Sequence, residues 1–142
     1  MDIDGPGPFE NSHGNNIYGK IRHELEASPV GWGPIRSMLS LGTKGKDDVE
    51  RYRNCCEQYA AAAFVAIVCS PQSPMDLPRD VRPYSDIVEP QPPERSIIDT
   101  ALAALDKIET ASILREHWAK NSQLPDFVKA VHQYRDRLTR TL

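Results

Sequence analysis

The chain has 142 residues, of which 39% are hydrophobic and 26% charged, and it carries a net charge of −3. A length of this order suits one domain that buries roughly two-thirds of its unfolded surface, so a core is expected without disulfide or metal staples. The acidic balance argues against general nucleic-acid binding, which takes a basic excess on one face.

Residues Met1 to Glu10 are rich in Gly and Pro and lack both the positive and the apolar stretch of a secretory signal. The longest apolar run, Ala60 to Cys69, is about half a membrane span. Both observations lead to the expectation of a cytoplasmic protein without membrane contact. Asn11 and Ser12 then read as a helix start, with Ile17, Ile21 and Leu25 recurring at i+4 until Pro29. A glycine-flanked tryptophan follows, Gly31-Trp32-Gly33-Pro34. Pro34 suits the first turn of a short helix that carries Ile35, Met38 and Leu39, with Gly42 beyond its end. Gly42 to Lys46 reads as a flexible polar loop.

The clearest helix spans about Lys46 to Ser70. Asp47 and Asp48 supply an acidic first turn that complements the helix dipole. Val49, Tyr52, Cys56, Tyr59, Ala60, Ala63 and Ile67 hold one face at helical spacing. Past Tyr59 the sequence is apolar all round, which marks a central, buried helix. Cys55, Cys56 and Cys69 are too few and badly spaced for a disulfide framework, and Cys56 and Cys69 read as small apolar residues.

Pro71 stops this helix, and seven of the twelve prolines fall between Pro71 and Pro93. No regular helix or interior strand tolerates that density, so residues 71–95 read as a long, stiff connection. Ser96 with Asp99 resembles a capping box ahead of Ile98, Ala101, Leu102, Leu105 and Ile108. Thr110 is placed to cap a short helix with Ile113, Leu114, His117 and Trp118. A last helix starts near Pro125-Asp126. There Phe127, Val131, Tyr134 and Leu138 face inward, and Lys129, Arg135, Arg137 and Arg140 face outward. Nothing alternates with period two for long enough to make a strand. The fold expected is all-α, one domain over residues 1–142 with five or six helices.

Charge is unevenly spread. Asp76 to Glu109 holds eight acids and four bases, a balance of −4, whereas Ala111 to Leu142 holds three acids and six bases, a balance of +3. Opposite poles on one body suit electrostatic steering between proteins.

Catalytic constellations are not legible. His13, His23, His117 and His132 form no His-Glu-x-x-His pattern, and Cys55-Cys56 lacks the spacer of a zinc knuckle. The alternating prolines of Gly5 to Phe9 remove N–H groups that a phosphate would need, and Gly42 to Lys46 matches a phosphate loop in composition alone. The basic residues around Tyr134 on the last helix, a candidate nucleic-acid contact, read more simply as a solvated helix face. The expectation is therefore no catalytic residues, no metal and no cofactor. The candidate partner-binding residues lie in the Pro-rich acidic connection: Asp80, Tyr84, Asp86, Ile87, Glu89 and Glu94. Prolines lower the entropy lost on binding, and an aromatic inside an acidic rim is a fit anchor for a basic partner. An alternative reading is a helical adaptor that binds a small molecule or self-associates around Trp32, His117 and Trp118.

Gly5-Pro6-Gly7-Pro8-Phe9-Glu10-Asn11 resembles the start of a bacterial domain-of-unknown-function family whose members begin Trp-Gly-x-Gly-x-Phe-(Asp/Glu)-Asn. Gly5, Gly7, Phe9, Glu10 and Asn11 match, and Asp4 stands where the family has tryptophan. Looser similarity touches Tyr59–Val68, Leu77-Pro78, Ala101–Ile108 and the Trp118 region. The matched residues suit architecture: tight turns at Gly5 and Gly7, a core plug at Phe9, a helix cap at Asn11. A chain of this size and pattern also looks like the immunity proteins encoded beside type VI secretion effectors, notably the inhibitor of a DNase effector. That resemblance implies a cytoplasmic antitoxin that binds and blocks a cognate nuclease toxin without touching nucleic acid or membrane.

Overall fold

The computed structural model describes residues 7–8, 32–40, 45–70 and 93–141. Among these the regular structure is entirely α-helical, in five helices: α1 Gly33–Leu39, α2 Asp48–Cys69, α3 Arg95–Thr110, α4 Ile113–Lys120 and α5 Leu124–Thr141. The expected helix over Asn11 to Leu25 and the Pro-rich connection lie outside the described residues, apart from Pro93 to Arg95 at the latter's end.

α2 is the hub, and the other four helices all pack on it. Asp47 caps it, its carboxylate accepting from the Glu50 N–H at 2.8 Å, while the Glu50 carboxylate accepts from the Lys46 N–H at 3.3 Å. This is a capping box shifted by one residue on its return arm. Every residue from Asn54 to Ile67 is buried; the apolar run past Tyr59 leads one to expect this of residues 60–67, whereas the burial of the polar Asn54, Glu57 and Gln58 goes beyond it. The run of small residues at Ala60 to Ala63 lets neighbours approach on all sides. Val49, placed on the inward face by its spacing, is instead 75% exposed. The first turn of α2 extends past the packed layer, so periodicity there has nothing to face.

α1 is too short to be stable alone. It is held by Ile35, Met38 and Leu39, all buried, and by Trp32, whose ring tilts onto Phe64 at 6.0 Å. Gln58 of α2 donates to the Leu39 carbonyl at 2.9 Å and so closes the end of α1 from within the core. The two contacts order α1 antiparallel to α2.

α3 begins at Arg95, with Glu94 as its N-cap residue and no side-chain cap bond. The capping box expected from Ser96 and Asp99 does not form, because Asp99 accepts from Arg95 Nε at 3.2 Å one turn back. Its stripe runs over Ile97, Ile98, Ala101, Ala104, Leu105 and Ile108, with Leu102 half-buried. The cap of α4 is Ser112 rather than Thr110: the Ser112 hydroxyl accepts from the Arg115 N–H at 3.0 Å and donates to the Ile108 carbonyl. Thr110 belongs to the last turn of α3, its hydroxyl donating to the Asp106 carbonyl at 2.8 Å.

α5 runs parallel to α2. Tyr59 of α2 meets Phe127 edge-on at 6.0 Å and Tyr134 at 6.5 Å, pairs worth about 0.5–1.5 kcal/mol each beyond their buried area. Phe127, Val131 and Leu138 are fully buried and Tyr134 is half-buried. Arg137, expected to face outward, is 0% exposed. Its Nε and Nη2 donate to the Ser70 carbonyl at 3.0 and 2.6 Å, and its guanidinium lies 6.0 Å from the Tyr134 ring centre. The charge thus sits at the C-terminal end of α2, where exposed carbonyls and the negative pole of the dipole favour a cation.

Candidate functional site

A half-open cavity of about 280 Å³ lies where the first half of α2 meets the end of α3 and the start of α4. α2 contributes Asp48, Arg51, Cys55 and Gln58 to its wall. Ile108, Ala111 and Ile113 give it an apolar floor, with Ser112 between them. Lys107 on α3 and Glu116 on α4 place opposite charges on its rim. Antiparallel packing of α2 and α3 is what joins these residues, because it sets the start of one helix beside the end of the other.

The electrostatics of the wall are uneven. Arg51 is closed by an ion pair with Asp48, three residues earlier on the same helix. Lys107 and Glu116 enter no side-chain hydrogen bond or ion pair within the described structure. Burial pushes the Cys55 thiol up to about 11, against hydrogen bonds from the Leu114 backbone and Ser112 that favour the thiolate. Cys55 is therefore a protonated wall atom at neutral pH and not a ready nucleophile. The neighbouring Cys56 is raised by burial to about 12. The described residues contain no group of three His, Cys, Asp or Glu side chains arranged to hold a metal.

A second polar cluster joins α3 to α5. Glu109 contacts His132 and lies 3.4 Å from Arg135, which also reaches Asp106 at 3.0 Å. Here the acidic and basic stretches of the sequence meet each other. Part of the charge asymmetry expected to steer a partner is thereby paired within the chain, in a partly exposed cluster, and Arg137 is buried.

Of the candidate partner-binding residues, Asp80, Tyr84, Asp86, Ile87 and Glu89 lie outside the described residues. Glu94 is described and exposed; its carboxylate lies 3.6 Å from Arg36 on α1, and its carbonyl accepts from the Ile97 and Ile98 N–H groups. Among the motif residues, Gly7 is half-buried and followed by a buried Pro8, while Gly5, Phe9 and Asn11 lie outside. Trp32 and Trp118, put forward as the centre of an alternative site, are 7% and 6% exposed and belong to the core. His117 stands edge-on to Trp118 at 4.9 Å, and partial burial, reinforced by nearby positive charge including Lys120, holds its pKa below the usual histidine value. The cavity itself was not legible in the sequence. Its charged residues are ordinary exposed positions on three helices, and no spacing ties Arg51 to Lys107 or Glu116.

The fold and cavity define a helical bundle with a charged-rim recess beside its central helix. The chain belongs to the family described as a domain of unknown function, DUF4259, whose profile matches residues 4–130. No curated protein and no solved structure matches the chain. No helix among the described residues is long and apolar enough to cross a membrane.

Proposed function

We propose that the protein acts by binding another protein, and that its partner is a secreted nuclease toxin, such as a type VI secretion effector, which it neutralises in the cytoplasm as an immunity protein. The observation that carries this reading is the segment between α2 and α3. It holds Asp76, Asp80, Asp86 and Glu89 against Arg79 and Arg82, an excess of two negative charges, among closely spaced prolines. A chain so rich in proline loses little entropy on docking, and its acids complement the basic groove of a nuclease.

The described ends of the segment support a presenting role. Ser70 at the exit is gripped by the buried Arg137, and Glu94 at the return precedes Ile97 and Ile98, which are seated in the core. Tyr84 and Ile87 are the apolar anchors of this reading, and the acids around them set the association rate. In this reading the chain neutralises its partner by non-covalent contact, with no catalytic step and no cofactor.

The test is co-expression with the product of the adjacent gene. The reading predicts rescued growth and co-purification of the two products in a stoichiometric complex. Growth arrest despite full expression of both chains contradicts it.

A further inference from the structure

The cavity beside α4 carries an inference independent of the toxin-binding reading. Lys107 and Glu116 stand on its rim from two different helices, pair neither with each other nor with any other side chain among the described residues, and share a recess whose floor is apolar. Arg51 and Asp48 on the α2 wall already neutralise one another. The charges left to be matched are one cation and one anion.

The positions of these charges narrow the ligand further. Ser112 and Ile113 open α4 and bring the positive end of its dipole to the cavity, near which a carboxylate is favoured. Glu116 lies three residues after Ile113 in the first turn of the same helix, a rise of about 4.5 Å. A ligand that satisfies both must carry its negative and positive groups within a few bonds of each other. Its remaining surface must be apolar to cover Ile108, Ala111 and Ile113. The volume of about 280 Å³ equals some nine waters at roughly 30 Å³ each, so it suits about ten non-hydrogen atoms.

We infer that this cavity is a binding site for a free α-amino acid with an apolar side chain. The carboxylate is received by Lys107 and the start of α4, the ammonium by Glu116, and the side chain by the apolar floor.

The test uses the full chain, isotope-labelled, titrated with L-leucine, L-isoleucine and L-phenylalanine up to about 10 mM, above the millimolar affinities that ligands of this size can give. Two probes dissect the charges: 4-methylpentanoate lacks the ammonium of leucine, and leucinol lacks the carboxylate. The expected result is saturable movement of amide signals between Lys107 and Glu116, with both dissecting probes bound about tenfold more weakly than leucine. Lys107→Met then removes the preference for leucine over leucinol, and Glu116→Gln removes that over 4-methylpentanoate. Ala111→Trp, a change at an exposed cavity residue, abolishes the signal. Retained melting temperatures show that these variants are folded. The proposal is overturned if none of the three amino acids moves those signals, if leucine and 4-methylpentanoate bind equally, or if binding survives in folded Ala111→Trp protein.

Discussion

Arg137 lies three residues after Tyr134 and one before Leu138, on the border of the apolar stripe of α5, and charge alone assigns such a residue to solvent. Its burial is explained by a carbonyl 67 positions earlier, Ser70, which ends α2 and accepts from two guanidinium nitrogens. Hydrogen bonds to charged groups contribute about 1.5–3 kcal/mol, so Arg137→Met is expected to cost about that much in urea denaturation. Arg137→Lys restores the charge without the planar fork and should recover only part of it. No local pattern in the sequence could reveal this contact. Cys56 was legible as a buried residue, since its spacing puts it on the inward face of the hub helix, whereas the burial of Cys55 and the titration of both need the packing. Both thiols lie above the ordinary thiol value of 9.0, at about 11 and 12. Folding thus favours the protonated thiols, and their contribution is full below pH 9 and lost as pH rises toward 11–12, at about 1.4 kcal/mol per unit of difference. Cys55→Ala should therefore flatten the fall in stability measured between pH 9 and 11, and an unchanged slope contradicts the assignment.

At the scale of elements, the five described helices follow from hydrophobic spacing and from the breaks at Pro71, Ala111 and Ser122, and their existence was plain in the sequence. Their ends were less so. Thr110 and Ser112 are both capable caps two residues apart, and the choice falls on Ser112 because α3 continues through Thr110 and uses its hydroxyl on the Asp106 carbonyl. Ser112 ties the end of α3 to the start of α4 with one oxygen, so Ser112→Ala is expected to cost about 1–2 kcal/mol, read as a lowered melting temperature. Gly45, ahead of α2, has φ +145°, and a Cβ there would lie 2.8 Å from the Arg51 backbone nitrogen. Gly45→Ala should destabilise by about 1–3 kcal/mol, a penalty that a merely flexible loop would not show. The polar stretch before α2 is thus a constrained approach at its last glycine.

For the whole molecule, α2 is surrounded, and its alanines set the distance of the helices around it. Ala62 and Ala63 are both 0% exposed, so Ala62→Leu should overpack the centre at a cost of about 1–3 kcal/mol, measurable by denaturation. The charge distribution was legible as a sum along the chain but not as a surface. Asp106 and Glu109 meet Arg135 and His132 across α3 and α5 in partly exposed pairs, and Arg137 is spent on α2, so part of the basic pole is already matched within the chain. The proposed partner contact rests on the acids between Ser70 and Glu94. The measurement that bears most directly on the proposed role is therefore a biosensor titration of the product of the adjacent gene, as the proposed toxin, over the native protein and a variant with alanine at Asp80, Asp86 and Glu89. The account predicts slower association for the variant, with a weaker dependence on salt and little change in dissociation. Identical association rates and identical salt dependence for the two proteins would contradict it.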